Sequence, residues 1–213
     1  MGERIIFDEA FRARLHELFI WRRDVRRFRR DALPAGALDR LIETACLGPS
    51  VGLSQPWRFV TVDDPLRRAA VIEAFRAANA EALAAYSGER AERYARLKLA
   101  GLAEAPGHLA LFTDRSTEVG HGLGRRSMPE TAEYSAVAAI TIMWLAARAE
   151  GIGMGWVSIL DPARVAAILE VPADWRFIGY FCLGYPESEE DRPELERAGW
   201  AERRGAREFI LRR

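Results

Sequence analysis

The chain has 213 residues, and its 31 lysines and arginines are balanced by 31 aspartates and glutamates. This length predicts one domain spanning residues 1–213, because a chain of this size buries roughly 70 % of its extended surface without crosslinks. The zero net charge gives no overall attraction to nucleic acid or to anionic lipid. We therefore expect neither as a partner.

The cysteines and the apolar runs bear on the compartment. Cys46 and Cys182 have neither CxxC nor metal-ligand spacing, which is typical of a reducing compartment. Charges occur throughout the first twenty residues, so the sequence predicts no signal peptide. The longest uncharged apolar run, residues 136–147, is too short to span a bilayer. These observations predict a cytoplasmic protein without membrane contact.

The first half of the chain alternates helical patterns with polar loops. A helix is predicted from Asp8, which suits an N-cap and is followed by apolar residues at helical spacing. A highly charged loop covers 21–34, and Pro34 suits the first turn of a second helix. The Gly-, Pro- and Ser-rich loop 48–56 then leads into a predicted buried strand at 57–62.

The middle of the chain is mostly helical. Residues 65–102 predict two helices that are broken at Ser87-Gly88, and a second strand is predicted at 108–113. After a Gly- and Arg-bearing loop, residues 130–150 form the most apolar helical pattern in the chain, with almost no polar face. Such a helix must be buried on several sides, either in the core or against another subunit.

The last third predicts a strand at 151–160, a short helix at 162–169 and a fourth strand at 175–183. The last thirty residues form a charged tail, with a small apolar group at 209–211 that needs a surface to pack on. Helices outnumber strands and do not alternate with them regularly. The predicted fold class is α+β.

Arginine is concentrated at the end of the first helix. Residues 22–30 contain six arginines and one opposing acid, Asp24. Three interpretations are open: a solvated basic turn, a nucleic-acid contact, or a clamp for one small phosphate, since guanidinium groups match phosphate oxygens. The six arginines are Arg22, Arg23, Arg26, Arg27, Arg29 and Arg30.

Other motifs carry less information singly. The Gly-x-Gly-x-Gly run at 151–155 enters a strand, whereas the dinucleotide fingerprint leaves one and opens a helix. His16, His108 and His121 show no metal-ligand spacing, so we assign them to structure or surface and predict no metal site.

Taken together, the loop motifs resemble the nitroreductase superfamily over about residues 10–200. The resemblance rests on R-R-D-V-R at 22–26, G-P-S-V-G-L-S-Q-P at 48–56 and G-M-G-W-V-S-I at 153–159. Within the superfamily the match is closest to the oxygen-dependent enzymes that fragment reduced FMN to 5,6-dimethylbenzimidazole, the lower ligand of vitamin B12. Further matching blocks are Ser87-Gly88-Glu89-Arg90, Leu97-Lys98-Leu99, Leu123-Gly124-Arg125 and Tyr134-Ser135; residues 125–128 depart from the pattern.

This resemblance implies a mostly antiparallel sheet flanked by helices, in an interlocked homodimer with an exchanged C-terminal tail and FMN at the subunit interface. It also implies that a separate flavin reductase supplies the reduced FMN, that O₂ is consumed and that a four-carbon sugar phosphate is released. The alternative activity on the same scaffold is an NAD(P)H-dependent FMN nitroreductase or flavin reductase.

The resemblance also implies a set of site residues. Asp24 would be the general acid or base near the ribityl chain, and Ser158 would hold the ring or its oxygen adduct; the alternative for Asp24 is an ion pair that only balances the arginines. Arg22, Arg23 and Arg26 would clamp the FMN phosphate. The full set of implied FMN contacts is Arg22, Arg23, Asp24, Val25, Arg26, Pro49, Ser50, Val51, Leu99, Gly155, Trp156, Val157, Ser158 and Arg203.

Overall fold

A computed structural model describes residues 6–213. Its strands form one antiparallel sheet in the order β1-β2-β4-β3. The strands are β1 (Trp57–Thr61), β2 (Gly107–Asp114), β3 (Gly153–Val157) and β4 (Trp175–Gly184). The helices are α1 (Glu9–Trp21), α2 (Ala37–Ala45), α3 (Pro65–Ala84), α4 (Gly88–Ala95), α5 (Thr131–Ala149), α6 (Pro162–Leu169) and α7 (Glu194–Arg197), with short 3₁₀ turns at Val51–Leu53 and Ala206–Phe209.

Aspartate caps begin three of the helices. The Asp8 carboxylate accepts from the Phe11 amide at 2.7 Å at the start of α1, which confirms the predicted cap. Asp64 and Asp161 do the same for α3 and α6, each directly before a proline at the first helical position. These local signals fix where the helices start.

The sheet separates two layers of core. On one face, α2 and α5 pack on Leu109, Leu111, Phe181 and Leu183. On the other face, α3 and α6 cover alternate residues of the same two strands, as the two-residue period of a strand requires. The α+β class with an antiparallel sheet flanked by helices is therefore confirmed.

The second layer contains a buried polar pair. Nε2 of His108 lies 3.2 Å from the Ala105 carbonyl, so it carries the ring proton, and Nδ1 accepts from the Tyr180 hydroxyl at 2.9 Å. Burial, and then the positive charge of Arg68, lower the pKa of His108 to about 4. This histidine is structural, as the sequence indicated.

Helix α5 has the burial that its composition demands. Its core-facing side is fully enclosed by the sheet and α2, and includes Ala136, Ala139, Ile140 and Met143. The opposite side leaves Tyr134 59 % and Val137 37 % exposed, so an apolar stripe faces outward.

Several predicted boundaries are wrong. The helical stretch expected to reach residue 102 ends at Ala95, and the second helix begins at Ala37, with Pro34 in the turn before it. The third strand ends at Val157, so Ser158 is the first residue beyond the sheet and is exposed.

The tail leaves the sheet after Gly184 and forms α7. Residues 201–213 are all exposed, and the predicted apolar group has Phe209, Ile210 and Leu211 at 57–72 % exposure. Exchange of this tail between two chains stays a prediction. Within residues 6–213, no helix combines the length and apolarity needed to cross a membrane.

Candidate active site

The arginine-rich segment lies along the free edge of the sheet. The Val25 amide donates to the Met154 carbonyl of β3 at 2.9 Å, and the Arg29 amide donates to the Tyr185 carbonyl at 2.8 Å. Residues 24–29 therefore run beside β3 and the end of β4, with only isolated ladder contacts. This edge position fixes the backbone of the segment, while Arg22, Arg23 and Asp24 remain partly accessible.

Two glycines allow this close approach. A Cβ atom on Gly155 would lie 2.1 Å from the Val25 carbonyl oxygen, and one on Gly153 would lie 2.8 Å from the Val25 side chain. Such separations are far inside van der Waals contact. The two glycines of β3 thus make room for the arginine segment. They lie within a strand, whereas the glycines of a dinucleotide fingerprint follow a strand and open a helix.

Asp24 is held from two sides. Its Oδ1 accepts from the Trp156 amide at 2.8 Å, and its Oδ2 accepts from Nε of Arg26 at 2.9 Å. The Asp24 side chain keeps 32 % of its surface exposed. The carboxylate is therefore fixed in position and still accessible to a bound molecule.

Arg26 is engaged within the chain. Besides the pair with Asp24, its Nη1 donates to the Lys98 carbonyl at 3.2 Å, and its side chain is only 13 % exposed. All three of its nitrogens contact protein acceptors. This use differs from the expected phosphate clamp, because the guanidinium is oriented toward Asp24 rather than toward an open anion site.

Arg22 and Arg23 are placed by a tryptophan of α5. The Arg22 guanidinium carbon lies 5.1 Å from the centre of the Trp144 ring, a cation–π distance. The same indole donates to the Arg23 carbonyl at 3.1 Å. Nε of Arg23 is buried without a hydrogen-bond partner, which is unusual because buried polar atoms are normally paired.

The charge of a tail arginine, Arg203, acts on both of these arginines. Burial lowers the pKa of Arg22, with Asp24 opposing the shift and the charge of Arg203 adding to it. Burial also lowers the pKa of Arg23, and the charges of Arg22 and Arg203 act in the same direction, while Asp191 and Glu196 oppose. We call Arg22, Arg23 and Arg203 the three-arginine cluster.

Arg27 and Arg29 of the run are paired with acids, whereas Arg30 has no ion pair within residues 6–213. Arg27 lies 3.6 Å from Glu194, and Arg29 lies 2.9 Å from Asp31. In the part of the chain that the structure describes, no member of the three-arginine cluster has a carboxylate within ion-pair distance. Three like charges that lack such partners favour a bound anion.

The structure brings most of the expected site residues to this edge. Gly155, Trp156 and Val157 form the end of β3, and Ser158 follows directly, two residues beyond the amide that binds Asp24. Leu99 is half-buried next to Lys98, whose carbonyl binds Arg26.

One block lies elsewhere. Pro49, Ser50 and Val51 belong to the loop before β1, and the Val51 amide donates to Ser135 Oγ near the start of α5 at 3.1 Å. Trp144, which binds the arginine segment, lies nine residues further along α5, about 14 Å at 1.5 Å per residue. β1 and β3 are opposite edges of the sheet. Within residues 6–213 no hydrogen bond joins the two blocks.

Two supporting residues were missed by sequence reasoning. Trp144 was considered only as part of an apolar helix, and Ser135 only as part of a matching block. The signal for Trp144 was its indole N–H, because a buried indole needs an acceptor. Ser135 was a hydroxyl in a helix that otherwise had almost no polar face. Its Oγ donates to Thr131 and accepts from Val51.

This arrangement fits a phosphorylated ligand. The three-arginine cluster and the orphaned Nε of Arg23 match a phosphate dianion, while Asp24 and the end of β3 lie beside it. FMN carries such a phosphate. The residues present are therefore able to hold FMN.

The chain belongs to the nitroreductase family, whose sequence model matches residues 20–185. A solved structure with the same fold is iodotyrosine deiodinase bound to FMN and 3-iodo-L-tyrosine, with a TM-score of 0.70 and 23 % identity over 83 % of this chain and 91 % of that one. The predicted family is confirmed.

Closer relatives in sequence carry one name. The chain is 56 % identical to the 5,6-dimethylbenzimidazole synthase of Rhodospirillum rubrum, covering 93 % of this chain and 94 % of that protein. It is 50 % identical to a 5,6-dimethylbenzimidazole synthase of Rhodobacter capsulatus, covering 92 % and 95 %. The branch of the superfamily that the loops indicated is the branch to which these relatives belong.

Proposed function

We propose that the protein is a 5,6-dimethylbenzimidazole synthase, which consumes reduced FMN and O₂ and releases a four-carbon sugar phosphate. The observation that carries the proposal is Asp24, fixed by Arg26 and the Trp156 amide beside the three-arginine cluster. The similarity to two synthases of that name, over nearly the full length of both chains, supports it.

The three-arginine cluster binds the phosphate of FMN in this proposal. Charge-assisted hydrogen bonds to a phosphate are about twice as strong as neutral ones. Binding also relieves the repulsion among three guanidinium groups. With the phosphate held there, Asp24 would face the ribityl chain and the end of β3 would hold the ring.

Asp24 moves a proton at the ribityl chain. A carboxylate that is fixed in position and partly exposed meets the geometric requirement for a general base toward a ligand bound at this edge. Arg26 has a positioning role, because it orients the carboxylate and joins it to the segment containing Leu99. Reduced FMN supplies the electrons and the carbon atoms of the product.

A second copy of the chain completes the site. Pro49, Ser50 and Val51 cannot reach the three-arginine cluster within one chain, since the two lie at opposite sheet edges. Large apolar side chains are exposed on and around this loop, as is typical of a surface that binds another protein. They include Leu47, Leu53, Leu123, Tyr134 and Val137. A homodimer buries this surface and brings the loop of one chain to the arginines of the other.

The deciding experiment supplies chemically reduced FMN in air and measures 5,6-dimethylbenzimidazole by mass spectrometry. We expect stoichiometric loss of FMN with formation of the product. Heat-inactivated protein is the control for spontaneous flavin oxidation. Recovery of intact oxidised FMN with no benzimidazole would reject the proposal.

The same samples test the alternative activity. A nitroreductase or flavin reductase would oxidise NAD(P)H in steady state with FMN retained, whereas the synthase consumes FMN and needs a separate flavin reductase. Binding of nucleic acid by the arginine run would appear as steeply salt-dependent affinity for random DNA. The pairing of Arg26, Arg27 and Arg29 with acids disfavours that alternative.

A further inference from the structure

Trp200 in the tail packs against the junction of α3 and α4. Its ring meets Tyr86 edge-on, with centroids 5.7 Å apart at 88°, and lies 6.1 Å from Tyr94 at 64°. Edge-to-face contacts of this kind stabilise aromatic pairs beyond their buried area. Nη1 of Arg93 donates to the Gly199 carbonyl at 3.3 Å. We call Tyr86, Arg93 and Tyr94 the tryptophan seat.

The seat is itself rigid. The Tyr94 hydroxyl donates to Oδ1 of Asn79 at 2.8 Å, and Nη2 of Arg93 donates to Glu89 at 2.5 Å. Tyr94 is 6 % exposed. The seat residues are thus held by α3 and α4 and do not depend on the tail for their positions.

The backbone delivers Trp200 to the seat in a defined direction. Gly199 has a left-handed φ of +66°, its amide donates to the Glu196 carbonyl, and the Trp200 amide donates to the Leu195 carbonyl at 2.9 Å. These two bonds form a Schellman ending for α7. The other side of α7 contacts the arginine segment, since Glu194 pairs with Arg27 and lines a cleft together with Arg23.

Arg203 follows three residues later. Three extended residues span at most about 10 Å, so the position of Arg203 is limited by the position of Trp200. For residues 201–213, every hydrogen bond and ion pair that the structure describes is internal to that segment, as between Arg204 and Glu208. Trp200 is therefore the last attachment to the body of the chain before Arg203.

We propose that Trp200 is a positioning residue for the phosphate clamp, fixing the tail on Tyr86 and Tyr94 so that Arg203 completes the three-arginine cluster. This inference rests on the proposed function, because it takes the phosphate to be that of FMN. It also links α3 and α4, which lie outside the arginine segment, to the affinity for the phosphate.

The test compares FMN with riboflavin, which lacks the phosphate, by quenching of flavin fluorescence with oxidised ligands. Four proteins are titrated: the wild type, W200A, R203A and the double variant. We expect W200A and R203A each to weaken FMN about 10- to 100-fold, the range for loss of a charge-assisted contact. Riboflavin affinity should change less than about twofold. The double variant should be no weaker than R203A, because both changes remove one contact.

Two controls separate positioning from general damage. W200F keeps an aromatic ring on the seat and should restore most of the preference for FMN. F209A removes an exposed ring beyond Arg203, which contacts Arg204 only within the segment, and should leave both affinities unchanged. Far-ultraviolet circular dichroism checks that all variants keep their helix content.

The failures are distinguishable. A wild type that prefers FMN and makes the benzimidazole, with W200A retaining that preference, would overturn this inference alone. Effects of W200A and R203A that multiply, or equal losses for both flavins, would also overturn it. A wild type with no preference for FMN over riboflavin would instead reject the phosphate clamp of the proposed function.

Discussion

In the core, His108 and Tyr180 use each other's polar atoms, whereas at the sheet edge Arg22 and Arg23 keep charge that no acid within residues 6–213 pairs with. Both groups have been taken out of water in part or in full. The core pair has every strong donor and acceptor of the imidazole satisfied. The edge group retains an orphaned Nε on Arg23. The hydrogen-bonded core pair stabilises the fold, whereas the unpaired Nε of Arg23 at the accessible edge is available to a ligand.

Substitution of Asp24 should have the largest effect on product formation. Asp24 lies at the sheet edge, yet both of its carboxylate oxygens accept hydrogen bonds, as polar atoms of the core do. In Asp24→Asn one amide donor must face either the Trp156 amide or Arg26, and the variant loses proton acceptance. We expect the variant to dimerise and bind FMN but to make no detectable benzimidazole from reduced FMN and oxygen. Product yield and FMN affinity are measured on the same preparation.

Asp31→Asn is the matched control, because Asp31 forms an exposed pair with Arg29 in the same arginine run. It should keep full yield. Near-normal yield from Asp24→Asn at saturating FMN would show that Asp24 only balances the charge of the arginines and takes no part in the reaction.

The buried His108–Tyr180 pair should make the folded protein less stable in acid. The pKa of His108 is lowered to about 4 in the folded chain from an ordinary value of 6.5. Above pH 6.5 both states are neutral and nothing is lost. Between pH 6.5 and 4 the unfolded chain binds a proton that the folded chain refuses, so the free energy of unfolding falls as the pH falls. The loss reaches about 3 kcal/mol by pH 4.

Urea unfolding at pH 7 and pH 4.5 measures this loss. His108→Gln keeps two hydrogen-bonding atoms but does not titrate, so its stability should fall less over the same interval. Parallel pH dependences for the two proteins would show that His108 does not carry the acid lability.

The arginines of the run should divide into two classes. Arg22→Ala should weaken FMN by about 1.5–3 kcal/mol and leave riboflavin nearly unchanged, because it removes a phosphate contact. Arg26→Ala should weaken both flavins alike and abolish product formation, because it releases Asp24. Fluorescence titration with the two ligands measures both.

Arg29→Ala serves as the reference, since Arg29 pairs with Asp31 and lies over Tyr185. It should bind both flavins normally. If Arg26→Ala instead weakened FMN but not riboflavin, Arg26 would be a phosphate ligand, as its sequence position suggested, and not a residue that positions Asp24.

The smallest effect concerns the folded state as a whole. A ligand that binds only the folded protein raises its stability by mass action, by about 1.4 kcal/mol at ten times the dissociation constant. FMN at that concentration should raise the melting temperature by a few degrees, and riboflavin should do so less at equal concentration. Light scattering on the same samples should give a homodimer.

A monodisperse monomer would contradict the shared site, because Pro49–Val51 would then have no route to the arginine segment. An unchanged melting temperature in FMN would contradict binding itself. A monomer would also leave the exposed stripe on α5 unexplained.

The sequence alone predicts the elements well where local signals are strong. The Asp8 cap and apolar periodicity locate α1, and the helices predicted to begin at residues 65 and 162 and all four predicted strands are present. It fails where tertiary contacts decide. The helical composition of 96–102 gives way because Lys98 offers its carbonyl to Arg26 and its ammonium to Glu104.

The site is predictable in membership but not in roles. Arg22, Arg23 and Arg26 look equivalent in a run of six. No local pattern indicates that Arg26 pairs with Asp24 or that Arg22 packs on the Trp144 ring. That division depends on which side chains β3 and α5 present at the edge. The approach of Arg203 depends on a tail whose attachment, Trp200, shows no periodic pattern.

The glycine at position 155 has a consequence for how this protein can vary. Since any Cβ there meets the Val25 carbonyl at 2.1 Å, the identity of a residue in the middle of a strand is set by a segment 130 positions earlier. A library randomised at position 155 and selected only for folding would tolerate substitutions that let the arginine segment lift from the sheet. The same library selected for flavin binding would keep glycine alone. The two selections would therefore distinguish what position 155 needs for folding from what it needs for the site.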